Sequence, residues 1–297
     1  MDTGIVKYRA FVAAAEEGSI AHAAEKLGYS VSSTSRMISD LETGCGLSLF
    51  SRSKAGVSLT SEGERLLVRA RRIVAESDGF DEEVAAISGI EIGKVRIGTI
   101  SSVATHVLPS VLRAFREKHW GVEYELLMGD YSEIESWVLD GRVDVGFVRL
   151  PTARNLATHV IARDEHMAVL PAGHPLANAD AFPIKAFLDE PFMALERDGL
   201  SEVAPVLEAG GVFVRPTFTT WDDYAIMAMV EAGMGLGIIP SLMLQRCAYN
   251  IVSLPLDTPS RREIAAIWYP QRPMPYAATA FLDLLRERDV TSLTIGG

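Results

Sequence analysis

Two places in the sequence combine hydroxyls with the start of a helical pattern. Ser101-Ser102 follows the apolar run Val95-Arg96-Ile97-Gly98-Thr99-Ile100, and Asp130-Tyr131-Ser132 follows a second run, Val122 to Met128. Side-chain hydroxyls and backbone N–H groups at such junctions suit a carboxylate or similar anion, because that is where open α/β sheets receive ligands. As plain helix caps the same serines need no ligand, and both readings stay open. Arg149, placed after Phe147-Val148, adds a guanidinium for carboxylate; it reads equally well as an exposed loop residue. Trp221 and Tyr224 offer an aromatic wall ahead of a later apolar helix that leads into Gly235. Asp130 would repel an anion unless it meets a hydroxyl or amine of the ligand. If the fold brought them to one cleft, these residues would suit a small organic acid, amphoteric or hydroxylated.

Constellations for catalysis or metal binding do not emerge. Ser101-Ser102 lies in neither a GxSxG nor an SxxK context. The six histidines, 22, 106, 119, 159, 166 and 174, form no HxH or HxxxH pair, so no metal site and no cofactor is expected. Gly233-Met234-Gly235-Leu236-Gly237 follows a helical pattern and precedes a strand, the reverse of the order a dinucleotide loop requires. Cys45 and Cys247 are the only cysteines and lie too far apart in sequence to suggest a disulfide framework. Met227, Met229, Met234 and Met243 read first as core fillers, with oxidant sensing through methionine or cysteine as an alternative.

The elements that carry these residues come from a chain of 297 residues, which is a prior for two domains or more. A hydrophobic share of 48% with 23% charged residues is globular composition. No apolar run reaches the roughly 20 residues of a membrane span, and the first residues lack a signal-peptide pattern, so a cytoplasmic protein is expected. The net charge of −11 argues against nucleic acid until its distribution is read. Residues 1–75 hold ten lysines and arginines against eight acids, while the remainder holds eighteen against thirty-one. A polyanion partner would have to meet the N-terminal part.

That part begins with Ile5, Tyr8, Phe11, Val12 and Ala15 on one helical face, ending near Gly18. Ser19 caps a second, two-turn helix with a small face of Ala23, Ala24 and Leu27, closed by Gly28. Ser30 caps a third whose apolar side is Met37, Ile38 and Leu41 and whose other side shows Ser32, Ser33, Ser35, Arg36 and Ser39. Two helices about a glycine turn, the second carrying hydroxyls and an arginine, make a helix-turn-helix. The serines are otherwise a solvated first turn. Leu49 to Thr60 then reads as two short strands, with Arg52 and Lys54 at their turn, a wing that grips phosphate.

The ordered set Phe11, Gly18-Ser19, Ala23-Ala24, Leu27, Ser30, Ser35, Ile38, Leu41-Glu42, Gly46, Leu49-Phe50, Arg52, Leu59-Thr60 and Gly63 resembles the LysR-type transcriptional regulators. Val31 stands where that family usually has glutamine, so an amide able to read adenine is absent, and Thr34 replaces an aliphatic residue. The resemblance implies an α+β multi-domain protein: a winged helix-turn-helix over 1–60, a linker helix over 61–90 and a two-lobed α/β effector domain over 91–297 resembling periplasmic binding proteins. Lobe 1 would take about 93–162 and 268–297, and lobe 2 about 163–267. Ser30, Val31, Ser32, Ser33, Ser35, Arg36, Arg52 and Lys54 would then face double-stranded DNA. Ser101, Ser102, Asp130, Ser132, Arg149, Trp221, Tyr224 and Gly235 would face the effector.

Within the linker, Ser61 and Glu64 have capping-box spacing. Leu66, Ala70, Ile73, Ser77, Phe80, Val84 and Ile87 alternate steps of four and three, a heptad seam that wants a partner helix. Leu66, Ile73, Phe80, Val84 and Ile87 are the expected dimer contacts, giving a dimer or tetramer. An ordinary amphipathic helix is the alternative. Two functions remain: a DNA-binding regulator answering to a small-molecule effector, or a small-molecule binding protein or enzyme with an incidental helical domain. The N-terminal motifs and the lack of a catalytic constellation favour the regulator.

Overall fold

A computed structural model describes residues 4–53, 56–87, 92–197, 200–258 and 260–287. Lys54 and the end of the expected linker segment, 88–90, lie outside the described residues. The N-terminal unit comprises α1 (Ile5–Glu17), α2 (Ile20–Leu27) and α3 (Val31–Cys45), then β1 (Phe50–Ser53) and β2 (Gly56–Leu59). Gly18 and Gly28 end the first two helices in the left-handed conformation, and the Gly28 N–H bonds back to Ala24 and Glu25. Ser19 accepts from the His22 N–H and Ser30 from the Ser33 N–H, so both expected caps form. Phe11, Ile38, Leu41 and Leu49 close this small core.

α4 (Ser61–Ile87) leaves it as a single helix. Its cap is Thr60, not Ser61: the Thr60 hydroxyl accepts from the Gly63 N–H at 3.0 Å and donates to the Ser48 carbonyl at 2.7 Å. Ser61 instead donates to its neighbour Glu62. Leu67 and Ala70 of α4 are buried in the N-terminal core, while Ile73, Phe80, Val84 and Ile87 stand exposed.

The rest is β3 (Gly93–Thr99), α5 (Ser101–His106), α6 (Leu108–Lys118), β4 (Val122–Met128), α7 (Tyr131–Asp140), β5 (Val145–Arg149) and β6 (Ala157–Pro171). There follow β7 (Phe192–Arg197), β8 (Leu200–Ser201), α8 (Ala204–Ala209), β9 (Phe218–Thr220), α9 (Asp223–Glu231) and β10 (Leu236–Pro240). The chain closes with α10 (Ser241–Leu244), β11 (Ile251–Pro255), β12 (Arg261–Trp268) and α11 (Tyr276–Glu287). β3 pairs in parallel with β4 and β5, and β7 in parallel with β10 and β9, so each lobe has crossover connections. β6 joins them: Ala157–Glu165 pairs with β12, and from His166 onward it pairs with β10 and β11.

The lobe boundary therefore differs from the expected positions near 162 and 268. β12 already runs beside β5 from Ile264, and Ile264–Ile267 is fully buried in the lobe 1 core with Phe115, Phe147 and Phe281. Chain return thus begins at Arg261, because these apolar residues belong inside the first sheet rather than at its edge. Lobe 2 closes over Phe182, Phe187 and Phe192 on one face of its sheet and Ile226, Met227 and Ile239 on the other.

Lobe 1 is fastened to α4. Glu82 is buried and accepts from the backbone N–H groups of Lys94 and Ala277. Asp78 sits between Arg9 of α1, at 2.7 Å, and Arg96 of β3, at 3.1 Å. The Arg96 N–H reaches the buried Asp144 carboxylate at 2.8 Å.

Gly63 supplies the tightest joint between wing and linker. A Cβ there would fall inside contact distance of the Leu49 carbonyl oxygen, a backbone atom that cannot turn aside. Gly63→Ala should destabilise the N-terminal domain by about 1–3 kcal/mol, as overpacking does, in denaturant unfolding of the intact protein. A variant as stable as wild type would mean the joint is loose.

Candidate functional site

Two surfaces gather the sequence candidates. On α3 the Ser30 hydroxyl makes contacts with those of Ser32, at 3.0 Å, and Ser33, at 2.8 Å. Val31, Ser32, Ser33 and Arg36 are exposed, and Ser35 is half-buried. Thr34 is fully buried and its hydroxyl donates to the Ser30 carbonyl, which explains why a polar residue is tolerated at an apolar position. Arg52 lies in β1 opposite Val57. The hairpin is held to the helices by Glu42, whose carboxylate accepts from the N–H groups of Leu49 and Phe50, and by the Val57 N–H bonding to the Gly18 carbonyl. The exposed recognition face and the wing are therefore set on one rigid support.

A second basic feature went unnoticed in the sequence. Arg65, Arg69 and Arg72, spaced by four and three on α4, line a groove of about 540 Å³ with Leu47, Leu66 and Val68. Leu66, expected in the dimer seam, is partly buried against its own domain's core.

The other surface is a cleft of about 180 Å³ between the lobes. Ser101 and Ser102 line it from lobe 1, Leu195, Trp221 and Asp223 from lobe 2, and Arg262 from β12. An adjoining recess of about 190 Å³ is lined by Asp130, Ser132, Glu135 and Arg149, and shares Tyr131, Glu202 and Trp221 with the first. Tyr224 and Gly235 are not brought to either. Tyr224 is 41% exposed on α9, and Gly235 serves the chain path, since a Cβ there would collide with the Pro191 carbonyl. Asp130 is consumed as the cap of α7: it accepts from the Glu133 N–H and the Ser132 hydroxyl. The capping box of α7 is Asp130 with Glu133. Arg149 packs over the Tyr131 ring at 5.3 Å.

Arg262 organises the cleft, and sequence reading missed it. Its Nε and Nη2 donate to Asp164 at 3.1 and 2.8 Å, and Nη1 to Glu202 at 2.8 Å and the Tyr131 hydroxyl at 3.0 Å. Nη2 also reaches the Ser102 hydroxyl at 3.4 Å. Tyr131 in turn donates to Glu202 at 3.1 Å, linking lobe 1 to lobe 2 directly. Burial works against the charge on Arg262, but Tyr131, Glu202 and Asp164 outweigh it and raise its pKa further. Burial alone would lift Glu202; the neighbouring His166 and Arg262 hold it down at about 2. Asp223 goes the other way, pushed up to about 7 by burial and by Glu202 against the pull of Arg262. The sequence hides this cluster, since Arg262 stands between Arg261 and Glu263 ahead of the apolar run Ile264–Ile267.

A winged helix-turn-helix joined by a long helix to a two-lobed α/β unit with a polar cleft is the architecture of a single-chain transcriptional regulator. Residues 5–64 match the model of the bacterial regulatory helix-turn-helix protein, lysR family, and residues 88–289 that of the LysR substrate binding domain. The chain belongs to the LysR family of transcriptional regulators. The "Probable HTH-type transcriptional regulator LrrA" of Synechococcus elongatus is 30% identical over 284 residues, covering 95% of this chain and 96% of that one. A "Probable hydrogen peroxide-inducible genes activator" of Mycobacterium avium is 30% identical over 240 residues, covering 80% and 77%. The solved structure of full-length CbnR complexed with its target DNA superposes with a TM-score of 0.68 at 22% identity, covering 95% of this chain and 99% of that one. The protein is thus a DNA-binding regulator of transcription and not an enzyme. Among the described residues no helix is long and apolar enough to cross a membrane.

Asp223 yields a pH prediction. Its folded pKa is raised, so its contribution to stability is full below its ordinary value of 3.8 and is lost as pH rises to about 7. Asp223→Asn should therefore gain on wild type in melting temperature between pH 4.5 and 7.5, by on the order of 5 °C. A difference independent of pH would show that this carboxyl is not held protonated by its surroundings.

Proposed function

We propose that this regulator's grip on its operator is modulated by a small organic acid bound between the lobes. The observation that carries this reading is a polar cleft lined from both lobes and closed at its floor by a side chain from the connecting strand β12. A ligand touching both walls favours one lobe arrangement over another, and differential binding is what shifts a two-state equilibrium. The Ser101 and Ser102 hydroxyls, with Arg197 at the rim, offer its carboxylate hydrogen bonds.

Arg36 and Arg52 supply phosphate or guanine contacts, while Ser32, Ser33 and Ser35 tune position and sequence choice. Dimerisation runs through the row Ile73, Phe80, Val84 and Ile87 on α4, a reading supported by the exposure of these apolar side chains among the described residues. The oxidant-sensing alternative draws on the Mycobacterium avium relative's name. Cys45 and Cys247 pack in different cores, which supports the small-molecule reading over a thiol pair.

A mobility-shift assay on the gene's own upstream intergenic DNA tests the DNA contacts. Arg52→Ala should weaken binding alike on all sequences and reduce the slope of log affinity against log salt by about 1. Unchanged affinity and slope would remove the wing from the interface. Ile73→Asp should abolish dimer formation in sedimentation, because a buried carboxylate facing its symmetry mate costs more than a surface pair returns. Wild-type assembly by that variant would move the seam elsewhere.

A further inference from the structure

Arg262 cannot serve a ligand. A guanidinium has five N–H donors, and here Asp164 takes two, Glu202 one, the Tyr131 hydroxyl one and the Ser102 hydroxyl one. The cleft's central cation is spent inside the protein.

Its carboxylates are not all answered. Asp164 is satisfied by Arg262, by the Ser241 hydroxyl and by the Leu242 N–H. Glu202 has Arg262 and Tyr131, and His166 lies 3.5 Å away with its other ring nitrogen on Ser260. Asp223, partly exposed in the same cleft, is met by its own backbone N–H and by no side-chain hydrogen bond among the described residues. In the adjoining recess Glu135 is buried, with one oxygen on the Ala153 N–H and the other without a partner. The other cations are partly engaged: Arg149, in the recess, covers the Tyr131 ring, and Arg197, at the cleft rim, pairs with Glu133 at 3.6 Å and is half exposed. Among the described residues the cleft and its recess thus hold carboxylates without a side-chain donor, and for the buried second oxygen of Glu135 that is costly.

We infer that the effector carries an ammonium group that pairs with Asp223, so the cleft takes an amino acid or similarly amphoteric molecule and not a simple carboxylate. This rests on the cleft being the effector site and narrows what that site accepts. The carboxylate end meets Ser101, Ser102 and the rim, and the ammonium end gives Asp223 a charged partner. A bound ammonium also favours ionised Asp223, which burial otherwise holds toward its neutral form.

The test is a thermal-shift screen of the full-length protein, followed by calorimetry. Its panel is the twenty protein amino acids, each beside its 2-hydroxy and its unsubstituted acid counterpart. At least one amino acid should raise the melting temperature while its two counterparts do not, and Asp223→Asn should weaken it tenfold or more. A 2-hydroxy or unsubstituted acid that shifts melting as much as the amino acid overturns the inference, as does a panel in which no amino acid binds. Undiminished affinity in Asp223→Asn also overturns it, as does a ligand sensitive to Glu135→Gln and indifferent to Asp223→Asn. If amine-free acids bind and Ser101→Ala abolishes that binding, the cleft remains the effector site and only the ammonium falls. If a ligand's shift survives both Ser101→Ala and Trp221→Ala, the cleft reading itself falls.

Discussion

Arg262 is a permanent charge with almost no access to water, placed on the strand that connects the lobes. Such a charge is tolerable only if every donor is matched, and the matching groups come from β6, from lobe 2 ahead of α8, from the start of α7 and from α5. The guanidinium therefore dictates where both walls of the cleft stand. Removing one partner leaves a buried charge unpaired, so the lobes cannot change their relation without disturbing the cluster. On the proposed reading, a bound molecule acts on the lobes through this cluster.

The route outward from the cleft is also charged. Lobe 1 carries Tyr131 at the cleft and Arg96 on β3, and Arg96 shares Asp78 of the linker helix with Arg9 of the N-terminal domain. Glu82 ties the same helix to the starts of β3 and α11. Lobe 1 is thereby fixed to the linker, and lobe 2 continues from lobe 1 through β6 and β12. On the proposed reading, an effector acts by setting lobe 2 against a lobe 1 that is already part of the DNA-binding frame.

The sequence disclosed the N-terminal domain well because its signals are local. Ser19 and Ser30 cap neighbouring helices, Gly18 and Gly28 end them, and the hairpin follows within a dozen residues. The cleft was legible only in part. Ser101, Ser102 and Trp221 were found because they sit at strand ends and helix starts, a rule of local topology. Arg262, Asp164 and Glu202 were not, since their partnership spans from 60 to 98 residues of sequence and each alone reads as a surface charge. Asp130 lines the recess beside the cleft, yet one of its oxygens is taken as the cap of α7 by the Glu133 N–H and by Ser132, two positions away. The cap of α4 moved from Ser61 to Thr60 for a similar reason: several hydroxyls and carboxylates with near-equivalent spacing stood in a row, and only the backbone path chooses among them.

Hydrogen–deuterium exchange on wild type and Arg262→Gln addresses the central claim most directly, that one buried guanidinium holds both walls of the cleft. Protection should fall at 130–134 in lobe 1 and at 201–207 in lobe 2 together, while β3 and β10 keep the protection of an intact fold. Unchanged protection at both walls in a variant lacking the guanidinium would contradict the account.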